Sequence, residues 1–315
     1  MNIDWQKFIT VDEGWVVDFL SIHKLKNERK LILRTYSVRF KSAKYDTTEL
    51  VAFVKNSIEN YVYNEREKES IRRNGGDVLE TAMQYFGEID PTYDGRFGEL
   101  ILYLLVESVL KIPMLVFKIP LSPNDQVKGS DGIFVGNYKD QPAILIGEAK
   151  TWGDLGGALN SAFISLNRFH TEEKKVLKDE YFVANKSLRL DQLTLTREEL
   201  DYIYDCFYLG SEVNKKREIV HPVLIIYDDN RIDTINKTDP NDSNAELKKL
   251  IEDRLNEQFT TLKALCNKFP NVAAVSLDFF FIPLKSVDSF RKELYTAIHK
   301  SPPPRSRKPK NIKTA

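Results

Sequence analysis

The sequence has few of the residues that build disulfide or zinc sites. Its 315 residues include two cysteines, Cys206 and Cys266, and four histidines. Two isolated cysteines cannot form a disulfide framework or a four-cysteine zinc site, which is typical of a protein from a reducing compartment. The histidines are too scattered for an HExxH or HxH zinc motif, and His170 and His221 have no partner visible in the sequence.

Other absences exclude nucleotide-driven motors and membrane-spanning proteins. The chain has no GxxxxGK[ST] loop and no GxGxxG motif after a strand, so it lacks the usual ATP and dinucleotide sites. Its longest apolar runs, such as 100–106, are far shorter than the roughly 20 residues of a membrane span. The segment MNIDWQKFITVDE has no basic and apolar signal, so we expect a cytoplasmic protein that does not contact a membrane.

The overall charge gives no general attraction to nucleic acid. Lys and Arg total 46, as do Asp and Glu, so the net charge is zero. A local basic patch is still compatible with this balance, because electrostatic steering depends on where the charges lie. Hydrophobic residues make up 42% of the chain, which is enough for a full core in one large or two smaller domains.

The first ninety residues are predicted to form a separate module. Residues 1–90 contain a partly alternating segment at 30–40, typical of a half-buried strand. One long helix is predicted from Asp46 through the charged stretch 64–73. We therefore expect an N-terminal α+β module that adds no strand to the core and that contacts a partner.

Residues 91–300 are predicted to form the main domain. Residues 97–110 are apolar almost all round and predict a buried helix, whereas the polar, helix-prone stretch 171–219 reads as an insertion. The predicted strands cover 114–119, 129–136, 143–150, 221–229 and 273–283, and further helices begin at Asp154, near 245 and near 287. This order predicts an α/β (α+β) fold with a mixed central sheet flanked by helices. Residues 301–315, proline-rich and basic, predict a disordered tail.

Two acids and a lysine lie where two of these strands meet. Glu148 and Lys150 are separated by one residue in the predicted third strand, so their side chains point to the same face. A hairpin centred near residue 139 or 140 would bring Asp131 opposite Glu148. Two carboxylates in an apolar surrounding repel each other, and a hard divalent cation such as Mg²⁺, or Mn²⁺ in its place, would relieve that repulsion. Lys150 could then orient a water molecule or offset negative charge, as phosphodiester hydrolysis requires.

These residues resemble a known nuclease motif. Asp131 followed by Glu148-Ala149-Lys150 is similar to the motif of the PD-(D/E)xK nuclease superfamily, although Ser130 stands where the motif usually has proline. The resemblance covers roughly 94–230 and implies a restriction-endonuclease-like core. It also implies that Glu99, on the first core helix, joins Asp131 and Glu148 as a catalytic and metal-binding acid.

A wider resemblance extends over most of the chain. The segments RFGELILYLL, GSDGIFVG and GEAKTW resemble the HamA family, the nuclease subunits of the Hachiman anti-phage defence system. That resemblance implies a bacterial effector that cuts DNA. It also implies a heterodimer with a superfamily 2 helicase resembling HamB, which controls the nuclease and supplies the ATPase that this chain lacks.

Several alternatives stay open at this point. Asn160 and Arg168, on the next predicted helix, are candidates for binding the scissile phosphate, although solvated positions of this kind are common. Trp152 fits a place at the lip of the site better than a base-stacking role. Two alternatives for the whole chain are a catalytically idle nuclease-fold subunit that binds DNA or protein, and a restriction-type endonuclease. The complete Asp131, Glu148 and Lys150 set favours an active Mg²⁺-dependent deoxyribonuclease.

Overall fold

A mixed nine-stranded sheet lies at the centre of the protein, with helices on both faces, as the sequence predicts. The structure is a computed structural model and describes residues 3–41, 44–86, 95–116, 129–171, 175–186, 188, 195–235 and 240–303. The strands are β1 (Leu20–Ile22), β2 (Lys26–Glu28), β3 (Leu31–Val38), β4 (Phe40–Lys41), β5 (Lys44–Tyr45), β6 (Met114–Val116), β7 (Ile133–Tyr138), β8 (Gln141–Ile146), β9 (Glu148–Trp152), β10 (Glu218–Asp228) and β11 (Ser276–Leu284).

The helices surround this sheet. They are α1 (Trp15–Phe19), α2 (Thr48–Asn56), α3 (Ile58–Val62), α4 (Glu65–Arg73), α5 (Val78–Met83), α6 (Arg96–Leu105), α7 (Leu155–Asn167), α8 (Lys175–Lys186), α9 (Arg197–Phe207), α10 (Glu212–Lys215), α11 (Pro240–Lys268), α12 (Pro270–Ala273) and α13 (Val287–His299). A π-helical turn, Val106–Leu110, extends α6. Short 3-10 turns cover Trp5–Phe8, Gln84–Phe86, Arg168–His170 and Asn230–Thr234.

The four central strands run parallel. The sheet order is β1, β3, β11, β10, β8, β7 and β6, with β2 beside β3 and β9 beside β10. Strands β3, β11, β10 and the β8–β9 pair are parallel neighbours, whereas β7 returns antiparallel to β8. The β7–β8 hairpin turns at Lys139 and Asp140, both with positive φ, which confirms the predicted turn at 137–141.

The central strands are covered on both faces. Leu224 of β10 and Phe280 of β11 pack towards α2, α6 and α13, whereas Val223 and Phe279 pack towards α7 and α11. The AILI segment of β8 is buried throughout, as its unbroken apolar run predicts. The sheet is therefore the middle layer of a three-layer core, and most side chains on its central strands are buried.

The expectation that residues 1–90 add no core strand is wrong. Strand β3 pairs in parallel with β11, from Leu31 beside Leu277 onwards. Arg34 also donates to the buried carboxylate of Asp278 at 2.8 and 3.1 Å, which ties the two strands together. The strand's apolar residues on both faces favour this interior place. The proposed domain boundary at residue 90 falls in 87–94, outside the described residues, and stays a prediction.

The single long helix predicted from Asp46 is divided into three. Helices α2, α3 and α4 replace it, because Tyr63 is extended and Asn64 starts a new helix. The Asn64 side chain accepts from the backbone N–H of Glu67, and the Glu67 carboxylate accepts from the Asn64 N–H. This capping box satisfies two N–H groups that a helix start would otherwise leave open.

Two other strand predictions need correction. The strand predicted over 129–136 begins only at Ile133, because Gly129 and Gly132 adopt φ values of +142° and +147° that extended strands do not. The strand predicted over 143–150 is interrupted at Gly147 and becomes β8 and β9. Strand 114–119 is seen as β6, and its residues beyond 116 lie outside the described residues.

The insertion 171–219 is mainly helical where it is described, and its last two residues belong to β10. Helices α8 and α9 pack against β7 and β8 through a cluster that includes Leu177, Tyr181 and Phe207. They cover the same sheet face as α7, because Ile144 and Ile146 of β8 belong to this cluster. Most of the predicted tail, 304–315, lies outside the described residues.

Candidate active site

Gly147 joins the two strands that carry the predicted acids. Strand β10 keeps one register beside both β8 and β9, with Ala143 opposite Glu218 and Glu148 opposite Val223. Beside β7, Gly147 instead bonds to the loop before that strand: its N–H donates to the Gly132 carbonyl at 2.9 Å, and its carbonyl accepts from the Asp131 N–H at 3.0 Å. The interruption therefore fastens the Asp131 loop to the start of β9.

Asp131 lies against the backbone of the predicted catalytic strand. Its carboxylate accepts from the N–H of Ala149 at 2.7 Å. The hairpin register ends with Ile133 opposite Ile146, and beyond it the bonds of Asp131 to Gly147 and Ala149 place its carboxylate near Glu148. The glycines on either side of the Ser130–Asp131 pair provide the positive φ values that turn the loop towards β9.

Glu148 and Lys150 point to the same face of β9 and form an ion pair. The Glu148 side chain is only 2% exposed, whereas that of Lys150 is 19% exposed, so the lysine lies at the opening. Burial, together with the negative charge of Asp131, raises the pKa of Glu148 to about 7, against the opposing effects of Lys150 and Ser165. A buried carboxylate in this state gains from any nearby positive charge.

Glu99 reaches the site from the other face of the sheet. Helix α6 packs closely on β9, since a Cβ atom at Gly98 would lie 3.0 Å from Thr151 and 3.3 Å from Ala149. The Glu99 carboxylate accepts from the Tyr61 hydroxyl at 3.4 Å. Burial raises the pKa of Tyr61, with further contributions from Tyr85, Glu99 and Asp131. Tyr61 therefore lies within the electrostatic reach of both acids.

Asp131 lies near Glu148, whereas Glu99 is related to Asp131 only through Tyr61. Among the residues that the structure describes, no three Asp, Glu, His or Cys side chains are arranged to hold a metal ion. The assignment of Asp131, Glu148 and Glu99 as a metal-binding set therefore stays a prediction.

The two candidate phosphate-binding residues have different surroundings. Arg168 donates to the Ser165 hydroxyl at 2.7 Å, and Ser165 lies near enough to Glu148 to lower the pKa of its carboxyl group. Asn160 instead accepts from Lys268 at 3.4 Å, at the end of α11. The structure thus connects Arg168 to the Glu148 side chain and pairs Asn160 with a different element.

A histidine pair beside the site was missed from the sequence. His170 and His221 are 51 residues apart, yet their Nε2 atoms are 2.6 Å apart. The Nδ1 atom of His221 lies 2.8 Å from the Ile146 carbonyl, so Nδ1 carries the proton and Nε2 accepts from His170. Complete burial and then His170 lower the pKa of His221 to about 3, which keeps it neutral. The two residues meet because the turn that follows α7 packs against β10, a contact that no local sequence pattern indicates.

The open side of the site carries cationic and aromatic groups. Trp152, on the same strand face as Lys150, is 45% exposed, which agrees with a place at the lip. On the other side of the strand, Arg291 from α13 donates to the Thr151 hydroxyl at 2.5 Å. No local sequence pattern indicates the contacts of Ser165 or Arg291, because both depend on how helices pack on β9.

The family of the chain can be decided by comparison. The family model HamA matches residues 14–298, which spans the sheet, the candidate site and the insertion.

The chain belongs to the HamA family.

Membership of the HamA family relates the chain to anti-phage defence, as a component of a Hachiman system. No curated protein matches the sequence. Within the described residues, no helix is long and apolar enough to span a membrane.

Proposed function

We propose that this HamA-family chain is a Mg²⁺-dependent deoxyribonuclease with a PD-(D/E)xK site, acting in anti-phage defence under the control of a helicase partner. The observation that carries the proposal is the meeting of three residues at the interruption of the β8–β9 strand. Asp131 bonds to the backbone between Glu148 and Lys150, and those two side chains share one strand face. This is the geometry that the sequence motif requires.

The donor set fits a hard divalent cation. Mg²⁺ is commonly held by one or two carboxylates, with water and phosphate oxygens completing its shell. Asp131 and Glu148 offer two carboxylates, and burial together with the negative charge of Asp131 raises the pKa of Glu148. A bound cation would polarise the scissile phosphate and lower the pKa of a bound water.

The chain's own residues account for the rest of the proposed reaction. Asp131 and Glu148 would hold the cation, and Glu99 would support it from the α6 side. Lys150, which now pairs with Glu148, would offset the negative charge that develops on the phosphate. Arg168, which donates to Ser165, would contact the phosphate backbone, and Trp152 would line the opening of the site.

Two surfaces support the proposed helicase contact. Of the large apolar side chains that are exposed in the described chain, all but Trp152 and Ile164 lie in 1–90 or 171–219. They are Val17, Ile22 and Leu25 in the first segment and Phe182, Val183, Tyr204, Tyr208 and Leu209 in the second. Exposed apolar groups of this kind are typical of interfaces that a partner covers.

Cleavage of supercoiled plasmid in Mg²⁺ tests the proposed activity, first with the chain alone and then with the helicase and ATP. Glu148→Gln and Lys150→Ala should each reduce the cleavage rate by at least about 100-fold, since the first weakens the binding of the cation and the second removes a positive charge that stabilises the reacting phosphate. Two exposed residues of α11 provide matched controls, Asp253→Asn and Lys249→Ala, and both should cut at the parent rate.

The outcomes separate the possible functions. If Glu148→Gln and Lys150→Ala both cut as fast as the parent, the assigned site is wrong. If the parent chain binds DNA but never cuts it, with or without the helicase, the chain is an idle nuclease-fold subunit.

A further inference from the structure

The loop that carries Asp131 is held by a carboxylate from the insertion. Glu180 lies on α8, and its Oε1 atom accepts from the Ser130 N–H at 3.2 Å. Its Oε2 atom accepts from the Ser130 hydroxyl at 2.8 Å. Ser130 is 4% exposed and Glu180 is 5% exposed, so water does not compete for these bonds. One buried carboxylate thus satisfies both the backbone and the side-chain donor of the residue before Asp131.

This loop needs an external support. Gly129 and Gly132, on either side of the Ser130–Asp131 pair, have φ values of +142° and +147°. Glycine adopts such values readily, but it also loses more conformational entropy on folding than any other residue. The position of the Asp131 carboxylate is set by two further bonds, from its own N–H to Gly147 and from Ala149 to its side chain. Ser130 is the link between these bonds and the helical insertion.

We propose that Glu180 is a positioning residue of the nuclease site, acting through Ser130 to hold Asp131 against β9; this inference rests on the proposed function. The side chain touches neither the strand that carries Glu148 nor its ion pair with Lys150 in any described bond. Its effect on cleavage therefore comes from the placement of Asp131. The insertion that contains α8 therefore helps to position Asp131 and also offers a surface to a partner.

The experiment compares Glu180→Gln with a neutralised neighbour on the same helix. Asp179 is exposed, so Asp179→Asn removes the same charge from α8 without touching Ser130. The amide introduced by Glu180→Gln keeps the size of the carboxylate but can accept from only one Ser130 donor. We expect the turnover number on supercoiled plasmid to fall about 10- to 100-fold in Glu180→Gln, because small displacements of reacting groups have effects of this size. The KM for DNA should stay within about twofold, since the groups that contact DNA are unchanged.

Amide hydrogen exchange measures how firmly the Asp131 loop is held, independently of activity. The Ser130 and Asp131 amides should exchange faster in Glu180→Gln than in the parent or in Asp179→Asn, while amides of β10 and β11 stay unchanged. Ser130→Ala removes only the hydroxyl bond and should cause a smaller loss of turnover. The double variant Ser130→Ala, Glu180→Gln should be no slower than Glu180→Gln alone, because both act through one contact.

The results distinguish this inference from the proposed function. A parent chain that never cuts DNA overturns the proposed function, and the exchange data then still decide whether Glu180 holds the loop. A parent that cuts, with Glu180→Gln equally fast or with exchange at 130–131 unchanged, overturns the positioning role. A loss of turnover that matches a general loss of folded protein, with faster exchange in β10 and β11, also overturns it.

Discussion

Glu107 shows how one buried residue fastens the N-terminal segment to the core. It lies 1% exposed on the π-helical turn after α6. Its carboxylate accepts from the Thr10 N–H at 2.9 Å and from the Met114 N–H at 3.0 Å. Burial is the largest effect on this group and raises its pKa to about 7, although these hydrogen bonds oppose the shift. Burial also raises the pKa of the nearby Tyr103, which therefore titrates far above this range.

The raised pKa of Glu107 predicts a pH-dependent contribution to stability. A carboxyl group whose folded pKa lies above its unfolded value stabilises the fold fully below the unfolded value of 4.5 and loses that contribution as the pH rises towards 7. The difference in the free energy of unfolding between the parent and Glu107→Gln should therefore fall by about 3 kcal/mol between pH 4.5 and 7. Urea titrations of both proteins across this range measure it.

The comparison with the variant is necessary because other groups titrate in the same interval. The pKa of His23 is lowered to about 4 and that of His221 to about 3, mainly by burial, so both add stability as the pH rises towards 6.5. Glu148 has the same sign as Glu107. All three contribute equally to both proteins and cancel in the difference. A difference that stays constant from pH 4.5 to 7 would show that Glu107 has an ordinary pKa.

The ligands at the candidate site predict which metals support activity. Asp131 and Glu148 offer oxygen donors, and no cysteine lies in the described site. Hard oxygen ligands favour Mg²⁺ or Mn²⁺ over Zn²⁺. Cleavage should stop in excess EDTA, return on addition of Mg²⁺ or Mn²⁺, and not return with Zn²⁺. Undiminished cutting after exhaustive chelation would exclude a metal-dependent reaction.

At the scale of elements, the predictions for fully buried segments are the ones that the structure confirms. The apolar run at 143–146 and the all-round apolar helix at 97–105 are confirmed, because full burial leaves an unmistakable composition. The site residues Asp131 and Glu148 are neighbours as predicted, since a short hairpin fixes its own register.

The features that the sequence did not predict all depend on contacts between segments that are distant in the chain. Gly147 lies within an apolar run that reads as one strand, and its role appears only in the bonds to 131–132. The pairing of β3 with β11 joins segments with no local signal for each other. The contacts of Ser165 and Glu180 likewise depend on how α7 and α8 pack against the sheet.

The close packing of α6 on β9 predicts a sharp response to side-chain volume. Gly98→Val would place its methyl groups against Thr151 and Ala149, where a single added Cβ already lies 3.0 and 3.3 Å away. We expect a loss of about 1–3 kcal/mol in the free energy of unfolding, as for other overpacked sites. Displacement of the helix should also reduce cleavage, because Glu99 follows directly.

Gly156→Val is the matched control for this prediction. Gly156 is exposed in the first turn of α7, where an added Cβ meets only the Asp154 side chain at 3.6 and 4.0 Å. Its unfolding free energy should change by less than about 0.5 kcal/mol. Equal stability of the two variants would mean that α6 can move away from β9 without cost.

At the scale of the whole molecule, the proposed partner accounts for what the chain lacks. The net charge is zero and the sequence has no Walker-type ATP motif, so a helicase partner would supply the motor. The exposed apolar groups of 1–90 and 171–219 provide a surface for a permanent interface, which often buries more than about 2,000 Å². We expect this contact to hold the nuclease inactive until the helicase is engaged.

Co-expression with a HamB-like helicase, followed by size-exclusion chromatography, tests this expectation. The two proteins should elute as one heterodimer at micromolar concentration, and the complex should cut intact plasmid more slowly than the free chain. Phe182→Asp and Tyr208→Asp, at the most exposed apolar positions of the insertion, should weaken the complex. Truncation of the tail 301–315 should leave assembly intact. Separate elution, or a complex as active as the free chain, would contradict the proposal.

The parallel pairing of β3 with β11 has a consequence for how the protein is made. Leu31 lies beside Leu277, a separation of 246 residues along the chain (277 − 31 = 246). At a synthesis rate of about 5–20 residues per second, β3 would leave the ribosome at least about 12 seconds before its neighbour. During that interval the edge of β3 that will face β11 stays unpaired, because β1 and β2, which are synthesised before it, pair with its other edge. Such non-local pairing slows folding, so the complete sheet can form only late in translation, once β11 has been synthesised.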